Sequence, residues 1–187
     1  MTSTTAPTRQ ARLALTPITS LAGLLDGAWW PYTRDLAAEL PPLAEALRDR
    51  FGRVTRITAN PAPWPVALRK VPVGGYAVHV GWFIDQAPDT MILLSYSLGR
   101  CDLLVIPPET EPSSAARLMT AASIPGNVHT TGTLMSEENA TGRLLREAGA
   151  REDAWETDGG ASPQPRPHPH PVVGARMIYP PPQGMRR

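Results

Sequence analysis

The sequence predicts an α+β domain: an antiparallel meander of about five strands, a kinked N-terminal helix ahead of it and a second helix after the last strand. Three observations lead there. Between Arg53 and Ile106, apolar and polar residues alternate with the period of two that a half-buried strand imposes. Connections in this stretch are short, and Gly74-Gly75 is a two-residue hairpin signal, so neighbouring strands should be antiparallel. On either side of it, apolar residues recur at helical spacing. Helices gathered on one side of the sheet complete the class.

Residues 1–10 read as a disordered arm, rich in Thr and Ser. Residues 11–148 read as the single domain, and 149–187 as a disordered, proline-rich tail. Arg12 to Pro17 suits a short strand ended by its proline. Asp26-Gly27 is a turn signal. Thr33 is placed to cap a helix, with Asp35 in the first turn, where negative charge suits the helix dipole. Leu36, Leu40, Leu43, Leu47 and Phe51 carry the helical period, but Pro41-Pro42 interrupts it. A short helix, a kink and a second helix are therefore expected, stopped by Gly52.

Strands are expected at Val54–Ala59, Val66–Val73, Tyr76–Ile84, Met91–Tyr96 and Cys101–Ile106, with a tight turn over Ser97–Arg100. Leu103-Leu104-Val105-Ile106 is apolar on both alternations, as in a strand covered on both faces. Thr110 can cap a helix carrying Pro112 in its first turn and burying Ala115, Leu118 and Ala122. A weaker helix is expected over Ser136–Ala148.

Composition narrows the function classes. Eighteen basic against seventeen acidic side chains leave a net charge of +1, without the basic excess that duplex nucleic acid demands. Lys70 is the single lysine, a bias that GC-rich coding explains without selection. One cysteine, Cys101, excludes an intramolecular disulfide and suits a reducing compartment. No apolar stretch approaches the ~18 residues of a membrane span, and Met1–Gln10 has no apolar signal core, so a cytoplasmic protein is expected. No nucleophile elbow, phosphate loop, dinucleotide fingerprint or zinc motif is present, and no cofactor is implied.

The most concentrated feature is Asp26-Gly27-Ala28-Trp29-Trp30-Pro31, closely followed by Arg34 and Asp35. Adjacent tryptophans diverge on any regular element, so the pair must join two surfaces. As a recognition surface, Trp29 or Trp30 with Trp64 and Trp82 makes an aromatic wall, and Arg34 with Asp26 or Asp35 supplies polar grips. As structure, one indole plugs the core beneath the first helix.

That motif, with Arg34-Asp35-Leu36, Glu39-Leu40-Pro41, Gly52-Arg53-Val54 and Val105-Ile106-Pro107-Pro108-Glu109-Thr110, resembles an uncharacterised actinobacterial family, a domain of unknown function. The resemblance covers about Arg12 to Glu138. It implies one compact domain in a bacterial cytoplasm. It implies no activity, cofactor or catalytic residue.

Three function classes follow. The first is a non-enzymatic module that binds a small molecule or protein. The second is a small hydrolase or transferase using Asp26 and Asp35 as acid and base. The third is a weak single-strand nucleic-acid binder, with Trp64 and Tyr76 stacking bases beside Arg69 and Lys70. Cys101 with His79 or His129 is a candidate nucleophile–base set, although a lone strand cysteine commonly serves as a small hydrophobe. His168 and His170 lack the further ligands a metal needs.

Overall fold

The computed structural model describes residues 9–18, 21–96 and 99–157. The arm over residues 1–8, the turn at Ser97 and the proline-rich segment with His168 and His170 lie outside the described residues. The chain divides into two units, Met1–Ala148 and Gly149–Arg187. The first holds the whole sheet, and the described part of the second is helical.

The chain runs β1 (Leu13–Leu15), β2 (Gly27–Trp29), α1 (Leu36–Phe51), β3 (Val54–Ala59), β4 (Lys70–Val73), β5 (Tyr76–Trp82), β6 (Thr90–Ser95), β7 (Gly99–Val105), α2 (Pro112–Ala122) and α3 (Thr131–Thr157). The class is α+β, but the expected five-strand antiparallel meander is corrected to a seven-stranded mixed sheet in the order β1-β2-β7-β6-β3-β5-β4. β2 runs parallel to β7, and β3 parallel to β5. The second pairing arises because the proline-rich segment after β3 carries β4 to the sheet edge. The β4–β5 hairpin then folds back and inserts β5 beside β3. Local alternation cannot register such an insertion.

β2 is also new. Gly27 is a strand residue paired with Leu15 rather than part of a turn. A Cβ there would lie 2.1 Å from the Ala14 carbonyl oxygen, and its φ is 153°. The glycine allows β1 and β2 to approach.

Helices lie on both faces of the sheet, not on one. α1 packs over β3 and β4, and α2 over β1 and β2. The reason is in β7. Leu103 and Val105 point into the core beneath α1, while Leu104 and Ile106 enter a second core with Ala115, Leu118, Ala122 and Leu134. The two-faced apolar run is thus covered twice.

α1 is one continuous helix, not two pieces broken at Pro41-Pro42. Asp35, rather than Thr33, is its N-cap, and its Oδ1 accepts the Ala37 N–H at 3.0 Å. The prolines remove donors to the Ala37 and Ala38 carbonyls, costing about 3 kcal/mol each. Leu36, Leu40, Leu43 and Leu47 are buried on the same helix, at roughly 1.5–3 kcal/mol apiece. Burial sustains the helix where propensity alone would end it. Gly52 stops it, donating its N–H to the Arg48 carbonyl at 2.9 Å. α3 begins at Thr131 and runs to Thr157, longer at both ends than the expected 136–148. No helix among the described residues is long and apolar enough to cross a membrane.

Candidate functional site

The mixed topology sets one edge of the sheet apart. β2, β7, β3 and β5 all point the same way. Their carboxyl ends therefore share one edge, from which the segments leading to α1, α2, β4 and β6 depart. Neighbouring parallel strands β2 and β7 send their chains to opposite faces, β2 into α1 and β7 into α2. Such a divergence opens a crevice at strand ends.

A cavity of about 270 Å³ occupies this place. Every one of the four segments contributes to it: Thr33 and Arg34 after β2, Pro63 and Trp64 after β3, Asp89 after β5, and Pro107 after β7. Its walls are chiefly proline and indole, and its polar groups are few, the composition of a small-ligand site.

Side-chain hydrogen bonds hold the rim. Asn60 donates through Nδ2 to the Ile84 and Gln86 carbonyls at 3.0 and 2.7 Å. Gln86 donates back through Nε2 to the Thr58 and Thr90 carbonyls at 3.0 and 2.8 Å. The segments after β3 and β5 are thereby fastened together. The Arg34 guanidinium crosses the opening, donating to the Pro63 carbonyl at 3.0 Å and pairing with Glu109. That hydrogen bond to Arg34 holds the Glu109 carboxyl below its ordinary range. Asp89 is the reverse case. It is half-buried, and burial alone raises its pKa. A carboxyl so perturbed in a cleft is the kind of group that binding and catalytic sites employ.

The structure separates the sequence-derived candidates. Arg34 and Trp64 line the crevice. Trp29 is fully buried and stacks on Trp64, ring centroids 5.9 Å apart at 16°. It backs the wall without reaching the opening. Trp30 points to the other core, where its Nε1 donates to the Pro107 carbonyl at 3.2 Å and the Arg12 guanidinium lies 3.4 Å from its ring. Arg12 also donates to the Trp30 and Pro31 carbonyls at 2.9 and 2.6 Å. The tryptophan pair thus does join two layers. Trp82 lies away from the crevice, its Nε1 donating to the Leu68 carbonyl at 2.8 Å.

Asp26 and Asp35 flank β2 at opposite ends, and each is engaged. Asp26 accepts the Asp102 N–H through Oδ2 at 2.8 Å, and Asp35 caps α1. Cys101 is buried, and desolvation chiefly, with Asp26 and Asp102 nearby, pushes its thiol pKa well up, opposite to what a nucleophile needs. Sequence reasoning missed Asp89, Asn60 and Gln86. Each sits in a loop with no periodic signal; the tertiary fold puts Asp89 in the crevice wall and uses Asn60 and Gln86 to bind the loops behind it.

The chain belongs to a family of unknown function, DUF5994, whose model matches residues 12–122. No curated protein and no solved structure matches it. The matched segment contains β1 through α2 and therefore every residue that lines the crevice.

Proposed function

We propose that this member of the family is a non-enzymatic binding module whose small-molecule or protein ligand seats in the crevice at the strand ends. The observation that carries this reading is the joining of Asp89, a half-buried carboxyl with a raised pKa, to a proline and indole wall whose supporting loops are hydrogen-bonded in advance. The volume lies near the lower bound of ~300 Å³ for ligand pockets. It suits a compact apolar body bearing one donor group directed at Asp89. A bacterial cytoplasm is the proposed setting, supported by the single, buried cysteine. Duplex nucleic acid and membranes are not partners on this reading, in keeping with the near-balanced charge.

The test is a thermal-shift screen of the full chain against a metabolite library, followed by Asp89→Asn. A ligand that binds only the folded state raises Tm, and Asp89→Asn should remove the shift for hits in this cavity. Silence across the library, or hits indifferent to Asp89→Asn, overturns the reading.

One observation favours the alternative, carboxylate-dependent hydrolysis or transfer. Asp89 lines the crevice and is pushed up by burial, while Arg34, which lines it too, holds Glu109 low; carboxyls with environments of opposite effect are what acid–base chemistry requires. Turnover of a panel of esters and phosphate esters that disappears in both Asp89→Asn and Glu109→Gln would establish it. Absence of turnover removes it.

A further inference from the structure

The other face of the outer sheet carries a separate arrangement. α2 covers β1 and β2 there, but Arg56, His79 and Lys70 on β3, β5 and β4 are exposed. The register aligns them. Arg56 lies opposite His79, and His79 opposite Lys70, so three neighbouring strands place basic side chains at one level on one face. Farther along the same row, Arg100 on β7 is neutralised by Asp102 at 2.6 and 2.7 Å. Arg56, Arg69 and Lys70 form no ion pair among the described residues. The chain as a whole is nearly neutral, so this density of cations is local.

The row borders an open cavity of about 580 Å³, which Arg69 and Phe83 also line. Phe83 is 54% exposed. Its ring lies across Gly81, where an added Cβ would come within 3.0 Å of it. Strands are spaced ~4.8 Å apart, so the anchor points of Arg56 and Lys70 stand about two such steps apart, on either side of His79. Long cationic side chains on that spacing can converge on linked phosphates, and a guanidinium supplies paired donors to one of them.

We propose that this face binds a ligand with adjacent phosphate groups attached to an aromatic base, a nucleoside di- or triphosphate. Arg56, Arg69 and Lys70 take the phosphates, with the His79 imidazole between them, and Phe83 supplies the apolar surface against the base. The same chemistry is offered by the nucleotides of a single strand, so the probes must separate the two sources. Neither this site nor its test depends on the crevice.

Three probes are titrated into the full-length protein at low salt, followed by calorimetry: tripolyphosphate, adenosine triphosphate and a ten-residue oligothymidylate. The expected result is saturable binding of the first two, tighter for the nucleotide. Arg56→Glu with Lys70→Glu should weaken both at least tenfold. Phe83→Ala should erase the nucleotide's advantage over tripolyphosphate. Because Arg56 and Lys70 are exposed, the variants should keep the parent's Tm, and Arg56→Gln with Lys70→Gln repeats the test without charge reversal. Absence of saturable binding by either small probe overturns the proposal. So does unchanged affinity in the charge variants, or binding of the oligothymidylate alone.

Discussion

The two faces of the sheet solve the same problem differently. Beneath α1 the core is continuous from β2 across to β4: Trp29, Leu103, Leu93, Ile57, Val78 and Val71 share one cluster, and the partly buried Leu13 of β1 packs against it. On the opposite face the helices cover only the β1, β2 and β7 end, where Ala28, Leu104 and Ile106 are buried, and the β3, β5 and β4 end is bare and basic. A face buried along its whole length specifies strand register, because a one-residue slip would expose every apolar side chain. That leaves the second face free to vary in chemistry where no helix lies over it. The contrast teaches that the burial that fixes register and the uncovered basic row are divided by side of the sheet rather than by segment of chain.

Adjacent residues make this comparison breakable. The largest effect is expected at the paired indoles. Trp29→Ala should cost about 4 kcal/mol, the range for emptying a buried aromatic site. Trp30→Ala, at a partly buried position in the smaller core, should cost about half that. Urea unfolding measures both, and equal losses would dissolve the distinction between the cores. Next come Leu103→Ala and Leu104→Ala, which empty opposite faces at consecutive, fully buried positions. Each should lose roughly 3 kcal/mol. A loss at Leu104 under 1 kcal/mol would mean that α2 and α3 do not seal their side.

Smaller effects sharpen the picture at the crevice. Arg34→Ala should lower stability by only about 0.5 kcal/mol, since its pair with Glu109 is solvent-exposed. Its sign with pH is definite. A carboxyl with a depressed folded pKa contributes stability above the unfolded value, about 4.3 for Glu. That contribution is lost as pH falls through the folded value, so the parent and Arg34→Ala should converge in acid. Asp89 has the opposite sign. Its raised folded pKa withdraws stability as pH rises through it, so Asp89→Asn should gain on the order of 0.5 kcal/mol at neutral pH. The gain should vanish in acid.

Much of this architecture was legible in the residues. The alternation from Tyr76, the glycine hairpin at Gly74-Gly75 and the leucine spacing of α1 are local signals, and each appears as read. The divergent tryptophans and the two-faced run at Leu103 were legible because burial on both sides leaves no polar alternation. Three things were not. β2 has three residues, too few to show a period. The parallel pairings join segments distant in sequence, which hairpin reasoning cannot reach. Pro41-Pro42 reads as a helix break because propensity is local, whereas the leucine burial that overrides it belongs to the assembled domain. Of the crevice, Arg34 and Trp64 were visible as part of an aromatic and charged set. Asp89, Asn60 and Gln86 were not, since a site assembled from four loop segments has no spacing to recognise.

The parallel seam between β2 and β7 also sets a timetable. Asp26 and Asp102 bond across it although 76 positions separate them in the chain. A nascent polypeptide leaving the ribosome can pair Trp29 with Leu13 of β1 at once, but its β7 neighbour Val105 arrives only when the whole sheet has been synthesised, and so distant a closure slows the search for the native arrangement. The amino-terminal ribbon can join the sheet only through β7, so a chain truncated upstream of β7 would leave β1 and β2 with no strand to dock on.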